Sequence, residues 1–239
     1  MDNKFKEGYE FFIKNTSIFA STKDIIDDRV EIIKNAEIRI KELEDNINSF
    51  KGYNTDVAQL KGDIAEFWHA GTYNIDAAKN NSSNVVNVDR SHKLGSVDLT
   101  GTDGQKYGLK YYNKAEFSAK AQSTSYFERY SEYKSQGHNE SFEEYLSKNG
   151  INSDSVLRDD PNYSGQQRII PSDQYQEAVK YLEEKIEKES LNRPEQVKRY
   201  KETLELLRTK IEDSDGNKSI ELSKSDSERL AKIAKSRQL

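Results

Sequence analysis

The stretch 95-GSVDLTGTDGQKYGLKYYNK-114 decides the fold. Two short segments with strand-like alternation, 96–100 and 106–112, flank a Gly-Thr-Asp-Gly turn, the pattern of a β-hairpin. Asp98 lies on the first arm. Lys110 lies on the second, amid Tyr107, Leu109, Tyr111 and Tyr112. An acid and a base set this way are either the solvated fringe of a surface hairpin or half of a metal-assisted phosphodiesterase site. Register separates the two. If Thr100 faces Gln105 directly, Asp98 opposes Tyr107 and Lys110 points to the other face, because facing residues share a side. A one-residue bulge at Gly101 or Gly104 shifts the pairing and reunites them, and Asp103-Gly104 has the chemistry for it.

Working outward, residues 22–50 read as one long helix. Ile26, Ile33, Ala36, Ile40, Leu43 and Ile47 fall on a and d heptad positions, with charges between them and Gly52 as a C-cap. That seam predicts a homodimer, or packing on the C-terminal helices. Residues 55–72 form a second helix with Val57, Leu60, Ile64, Phe67 and Trp68 on one face. Residues 85–88 supply a further strand, giving a third β segment beside the hairpin. Residues 115–148 are mostly helical, with Ser141 and Glu144 matching a capping box and Gly150 as the stop. Residues 152–171 read as loop, punctuated by Pro161, Gly165 and Pro171. Beyond it, Ser172 caps a helix over 173–190, Asn192 and Pro194 start another to about 212, and Ser223 starts a third. Val179, Leu182, Ile186, Val197, Leu204, Leu207 and Ile211 form the stripe of an antiparallel helical hairpin.

The fold class is therefore α+β: a small mixed sheet of three to five strands with flanking helices, between long N- and C-terminal helices. Four parts follow along the chain: 1–52 helical or coiled coil, 53–150 an α/β core, 151–171 a loop, and 172–239 helical.

Composition narrows the function. The 239 residues are 33% apolar and 33% charged, with a net charge of −5, so nothing attracts the whole molecule to nucleic acid and any such binding needs a local basic surface. There are no cysteines, which removes disulfides and thiolate metal sites and fits a cytoplasmic setting. No apolar run reaches the length of a signal peptide or membrane span. His69, His92 and His138 have no metal-ligand spacing, which argues against zinc.

Helix, loop, strand, turn and strand, with Glu66 in "GDIAEFWHAGTYN", Asp98 in "SVDL" and Lys110 in "YGLKYY", resembles the core of the PD-(D/E)XK, or restriction-endonuclease-like, nucleases over about residues 55–125. The resemblance implies a divalent metal, Mg²⁺ or Mn²⁺, held by Asp98 and Glu66, with Asp98, Glu66 and Lys110 catalytic. It implies cleavage of DNA phosphodiester bonds and a setting in phage defence or mobile elements. Oxygen ligands suit Mg²⁺, which keeps several waters and takes one or two carboxylates. One position departs from the family: Gly108 stands where an acid usually precedes the lysine by two residues, and Glu66 or Gln122 would have to replace it. Past the hairpin, Lys114, Lys120, Gln122 and Arg129 supply cations and donors for a nucleic-acid backbone, with Phe117, Tyr126, Phe127 and Tyr130 turned inward.

The alternatives are ordinary. Asp98 can blunt an edge strand, Lys110 can lay its stem beside Tyr111 and Tyr112, and Glu66 can be a solvated helical carboxylate. Trp68 reads as core. The competing function is a non-catalytic coiled-coil interaction protein carrying a degenerate nuclease-like scaffold.

Overall fold

The computed structural model describes residues 23–91 and 93–236. The expectations for residues 1–22, for His92 and for the Ile26 side chain lie outside the described residues. Helix α1 spans Lys23–Ser49 and α2 spans Val57–Lys79. Three short helices follow: α3 (Ala115–Ser123), α4 (Tyr126–Ser135) and α5 (Phe142–Lys148). The last three are α6 (Tyr175–Glu189), α7 (Pro194–Leu206) and α8 (Lys224–Ser236).

One five-stranded sheet runs in the order β1 (Val86–Val88), β2 (Leu99–Gly101), β3 (Lys106–Leu109), β4 (Gln167–Ile169), β5 (Leu207–Arg208). β1 pairs with β2 and β2 with β3 antiparallel, whereas β4 joins β3 and β5 joins β4 in parallel. Parallel neighbours need long crossovers. The chain supplies them as α3–α5 between β3 and β4, and as the α6–α7 hairpin between β4 and β5.

Helix α2 organises one face. Its residues are apolar on several sides, which is the mark of an enclosed helix. Ala70, Tyr73 and Ala77 meet Val86, Leu99, Tyr107, Leu109 and Ile169 of the sheet, while Leu60 and Ile64 meet Ala231 of α8. Helix α1 crosses a third side at Gly71, where any Cβ would run into Leu43. On the opposite face, Ala115 and Ala119 of α3 pack with Ala178, Leu182, Tyr200 and Leu207.

The α+β class and the small mixed sheet thus stand, with several local corrections. Helix α2 continues to Lys79, past the expected stop at 72. Residues 152–171 contain a strand, β4, and residues 207–208 form β5 where a helix to 212 was expected. The sheet therefore draws strands from the loop and helical segments as well as from 53–150. Ser172 starts a short 3₁₀ turn without capping it by its side chain. Gly52 opens a 3₁₀ turn and is not a left-handed cap. The heptad seam is broken at one described position: Ile33, Ala36, Leu43 and Ile47 are partly covered, but Ile40 is 45% exposed, and α1 packs on α2 and not on the C-terminal hairpin. No helix among the described residues is long and apolar enough to cross a membrane.

Candidate active site

The hairpin turn sets the register. Gly101 N–H donates to the Gln105 carbonyl at 2.8 Å, Gly104 N–H donates to the Gly101 carbonyl at 3.0 Å, and Gly104 adopts φ +87°. Only glycine takes that backbone readily. The Asp103 carboxylate accepts from Gln105 N–H at 3.0 Å and finishes the turn. Residues 102–104 thus form a three-residue loop, and Leu99 pairs with Tyr107 and Thr100 with Lys106. This is the one-residue offset from a direct Thr100–Gln105 pairing, and it brings Asp98 and Lys110 to one side.

They meet. Lys110 Nζ donates to Asp98 Oδ2 at 3.3 Å and to its neighbour's carbonyl, Leu109 O, at 2.8 Å. Asp98 Oδ2 also accepts from Leu109 N–H at 2.6 Å, so the side chain takes the place of a ladder carbonyl just before β2 begins. Asp98 Oδ1 has no hydrogen-bond donor among the described residues. Because β2 lies between β1 and β3, Asp98 guards no sheet edge, and that ordinary reading falls. Nor does Lys110 extend past Tyr112: its ammonium sits 4.6 Å over the Tyr163 ring. Burial alone would depress Lys110, but Tyr163 and Asp98 beside it hold it above the usual lysine range. It remains a cation.

Helix α2 brings Glu66 to the same place. Burial, reinforced by Asp98 and Asp63 and opposed by Arg90, pushes its carboxyl up to about 8. Arg90, from the loop after β1, donates to Glu66 at 2.7 Å and pairs with Asp63 at 2.9 Å. Its guanidinium rests over Phe50 and Phe67, with ring centroids at 4.7 and 5.5 Å. Arg90 went unnoticed in the sequence because an arginine in a polar loop carries no periodic signal. Asp98 and Lys110 are thus in contact, and Glu66 lies close enough to Asp98 to feel its charge, with Arg90 already engaged by Glu66.

The nucleic-acid candidates scatter. Gln122 is fully buried and its Nε2 donates to the Gly108 carbonyl at 2.9 Å, so it faces the hairpin and not a phosphate backbone. Lys114, just before α3, and Lys120 on it are exposed, and Phe117 is 47% exposed beneath Lys114 where a core position was expected. Arg129 pairs with Glu132 and lies close enough to Tyr163 and Tyr112 to be raised by both against the opposing effect of its own burial. His69 is a satisfied core residue between Ser219 Oγ and Tyr111 OH, each at 2.8 Å.

Gly108 has a steric cause. A Cβ there would stand 2.9 Å from Gln166 Oε1 and 3.3 Å from the Tyr163 ring, so no acid fits without displacing them. Among the described residues, no three His, Asp or Glu side chains converge tightly enough to form a metal cage. A Mg²⁺-type ion needs only one or two carboxylates, and the free Asp98 oxygen with the amide oxygens around Gly108 are all hard donors, so the residues present fit such an ion. No protein-family model, curated protein or solved structure matches this chain.

Proposed function

We propose that this chain is a metal-dependent nuclease of the PD-(D/E)XK type that cleaves DNA. The observation that carries the reading is the meeting of Asp98 and Lys110 at 3.3 Å at the ends of the adjacent strands β2 and β3, with Glu66 of α2 near enough to Asp98 to feel its charge. Sheet order supports it too, since an antiparallel hairpin followed by a parallel strand across helices suits that core.

Asp98 and Glu66 would hold Mg²⁺ or Mn²⁺. When bound, such an ion lowers the pKa of its water and offsets charge on the phosphate. The chain's own groups do the rest. Leu109 N–H fixes Asp98 so that Oδ1 points free. Lys110 has three N–H donors and spends two, on Asp98 and Leu109. The third can hold a phosphate oxygen or the attacking water, and a paired ammonium donates without accepting. Tyr163 covers the lysine from bulk water, which strengthens its charge. Arg129 and the exposed Tyr112 form the rim from which a DNA backbone is reached.

The second reading, a non-catalytic scaffold, rests on Arg90, whose guanidinium already engages both Asp63 and Glu66. Plasmid incubated with Mg²⁺ or Mn²⁺ decides between them. The nuclease reading expects nicking by the wild type and none by Asp98→Ala. Equal cleavage by both points to a contaminant and ends the enzyme claim, as does no cleavage with either ion.

A further inference from the structure

The space beside Gly108 holds two unpaired acceptors. Gln166 is 4% exposed and Gln122 is fully buried, and Oε1 of each has no hydrogen-bond partner among the described residues. The amide orientation is not arbitrary. Gln122 Nε2 donates to the Gly108 carbonyl at 2.9 Å, and Gln166 Nε2 donates to the Gly95 carbonyl at 3.0 Å. Carbonyls only accept, so neither amide can turn over without setting oxygen against oxygen. Both Oε1 atoms are thereby aimed at one spot, 2.9 and 3.7 Å from where a Cβ of residue 108 would be. An orphaned buried acceptor costs about 1–3 kcal/mol. Two of them on one point call for a donor or a cation.

The placement of Gln166 says which. Its side chain leaves the start of β4, crosses Gly108, and anchors on Gly95, three residues before Asp98. It lies where a carboxylate on residue 108 would otherwise reach. Resting on the nuclease reading above, we propose that Gln166 Oε1 is a further protein ligand of the divalent ion beside Asp98 and Glu66, replacing by an amide from the residue before β4 the acid that Gly108 lacks, with Gln122 Oε1 beside it. The glycine and the glutamine are then one device: the missing side chain makes room for the substitute. A neutral amide in place of a carboxylate also predicts a weak site, one that Mn²⁺ reveals more readily than Mg²⁺.

The test is Mn²⁺ binding, followed by electron paramagnetic resonance of the free ion, with no DNA present. The variants are Gln166→Glu, Gln166→Met and Asp98→Ala, each checked for fold by circular dichroism. Gln166→Glu returns a charge to the ligand and should tighten binding; Gln166→Met removes the oxygen and should weaken it about tenfold or more. Asp98→Ala should abolish it. Because Gln166→Glu also gives up the bond to Gly95, Gln122→Met serves as a second probe of the same spot and should weaken Mn²⁺ by a smaller factor. If wild type and Gln166→Met bind Mn²⁺ alike while Asp98→Ala does not, Gln166 is no ligand and the metal site at Asp98 survives. If wild type binds no Mn²⁺, the nuclease reading falls and takes the ligand with it.

Discussion

Two buried ionic clusters flank the sheet, and they are built on opposite plans. Arg199 of α7 is paired through each of its three nitrogens. Its guanidinium donates to the Ser123 carbonyl at 3.1 Å, the Asp159 carbonyl at 3.2 Å and Glu128 at 3.0 Å, joining α7 to the end of α3 and to the loop before β4. Around Asp98, acids stand near acids. Glu66 is pushed up to about 8, first by burial and then by Asp98, and two amide oxygens go unanswered among the described residues. A cluster that holds a fold settles its charges internally; one that serves a ligand leaves part of that to the ligand.

Substitutions can break this contrast. Arg199→Met should have the largest effect. It strands the buried Ser123 carbonyl and removes a buried side chain that joins three segments, while Glu128 and Asp159 stay solvated, and should lower stability by about 2–3 kcal/mol in urea unfolding. Asp98 chemistry should be unchanged once the protein is folded. A loss under 0.5 kcal/mol would put Arg199 outside the structural class.

Acidification comes next. Burial lowers the His69 pKa to about 3, below its ordinary value of 6.5. The unfolded chain then takes a proton that the native state refuses, so this stabilisation is present above pH 6.5 and is lost as pH falls toward 3. Between pH 6.5 and 5 the His69 share of the loss should be about 2 kcal/mol, largely offset in the wild type by Glu66, so His69→Gln should make stability rise as pH falls through that window. Glu66, one turn away, has the opposite sign. Its folded pKa lies above 4.5, so its contribution is complete below that value and fades as pH rises toward 8.

Asp98→Asn should move stability by no more than about 1 kcal/mol, because the lost Lys110 pair is offset by relief of Glu66. The Glu66 carboxyl midpoint, read by NMR titration, should fall from about 8. A midpoint that stays put would uncouple the two acids. Least of all, Ile40→Glu should cost about 0.5 kcal/mol or less, since Ile40 already faces solvent. A change in molecular mass by light scattering in that variant would instead reveal a dimer through α1.

The hairpin was legible for a local reason: Asp103-Gly104 encodes its own turn, and the turn fixes which residues face Lys110. Helix α1 and both ends of α5 were legible through heptad spacing and the Ser141–Glu144 box. β4 was not, because it is three residues long, lies between Gly165 and Pro171, and carries Arg168 at its centre. β5 was not, because two residues continue the helical stripe of α7 before the chain straightens. At the site, Asp98, Lys110 and Glu66 could be named from residue type and order. Arg90, Tyr163 and Gln166 could not, since each reaches the site from a loop or a short strand whose position only the sheet determines. Phe117 misled through its type: an aromatic beside Lys114 reads as core, yet the inner face of α3 is taken by small residues and Gln122.

The central claim is that the pair at the open end of the hairpin serves a reaction and not the fold, and Lys110→Met tests it most directly. The variant keeps the stem between Tyr163 and Leu109 and removes only the charge. Plasmid cleavage with Mn²⁺ should be measured beside the melting temperature of the same preparation. The account predicts a rate at least about 100-fold below wild type, with stability changed by no more than about 1 kcal/mol. Cleavage at the wild-type rate, or a protein that no longer folds while Asp98→Asn still does, would contradict it.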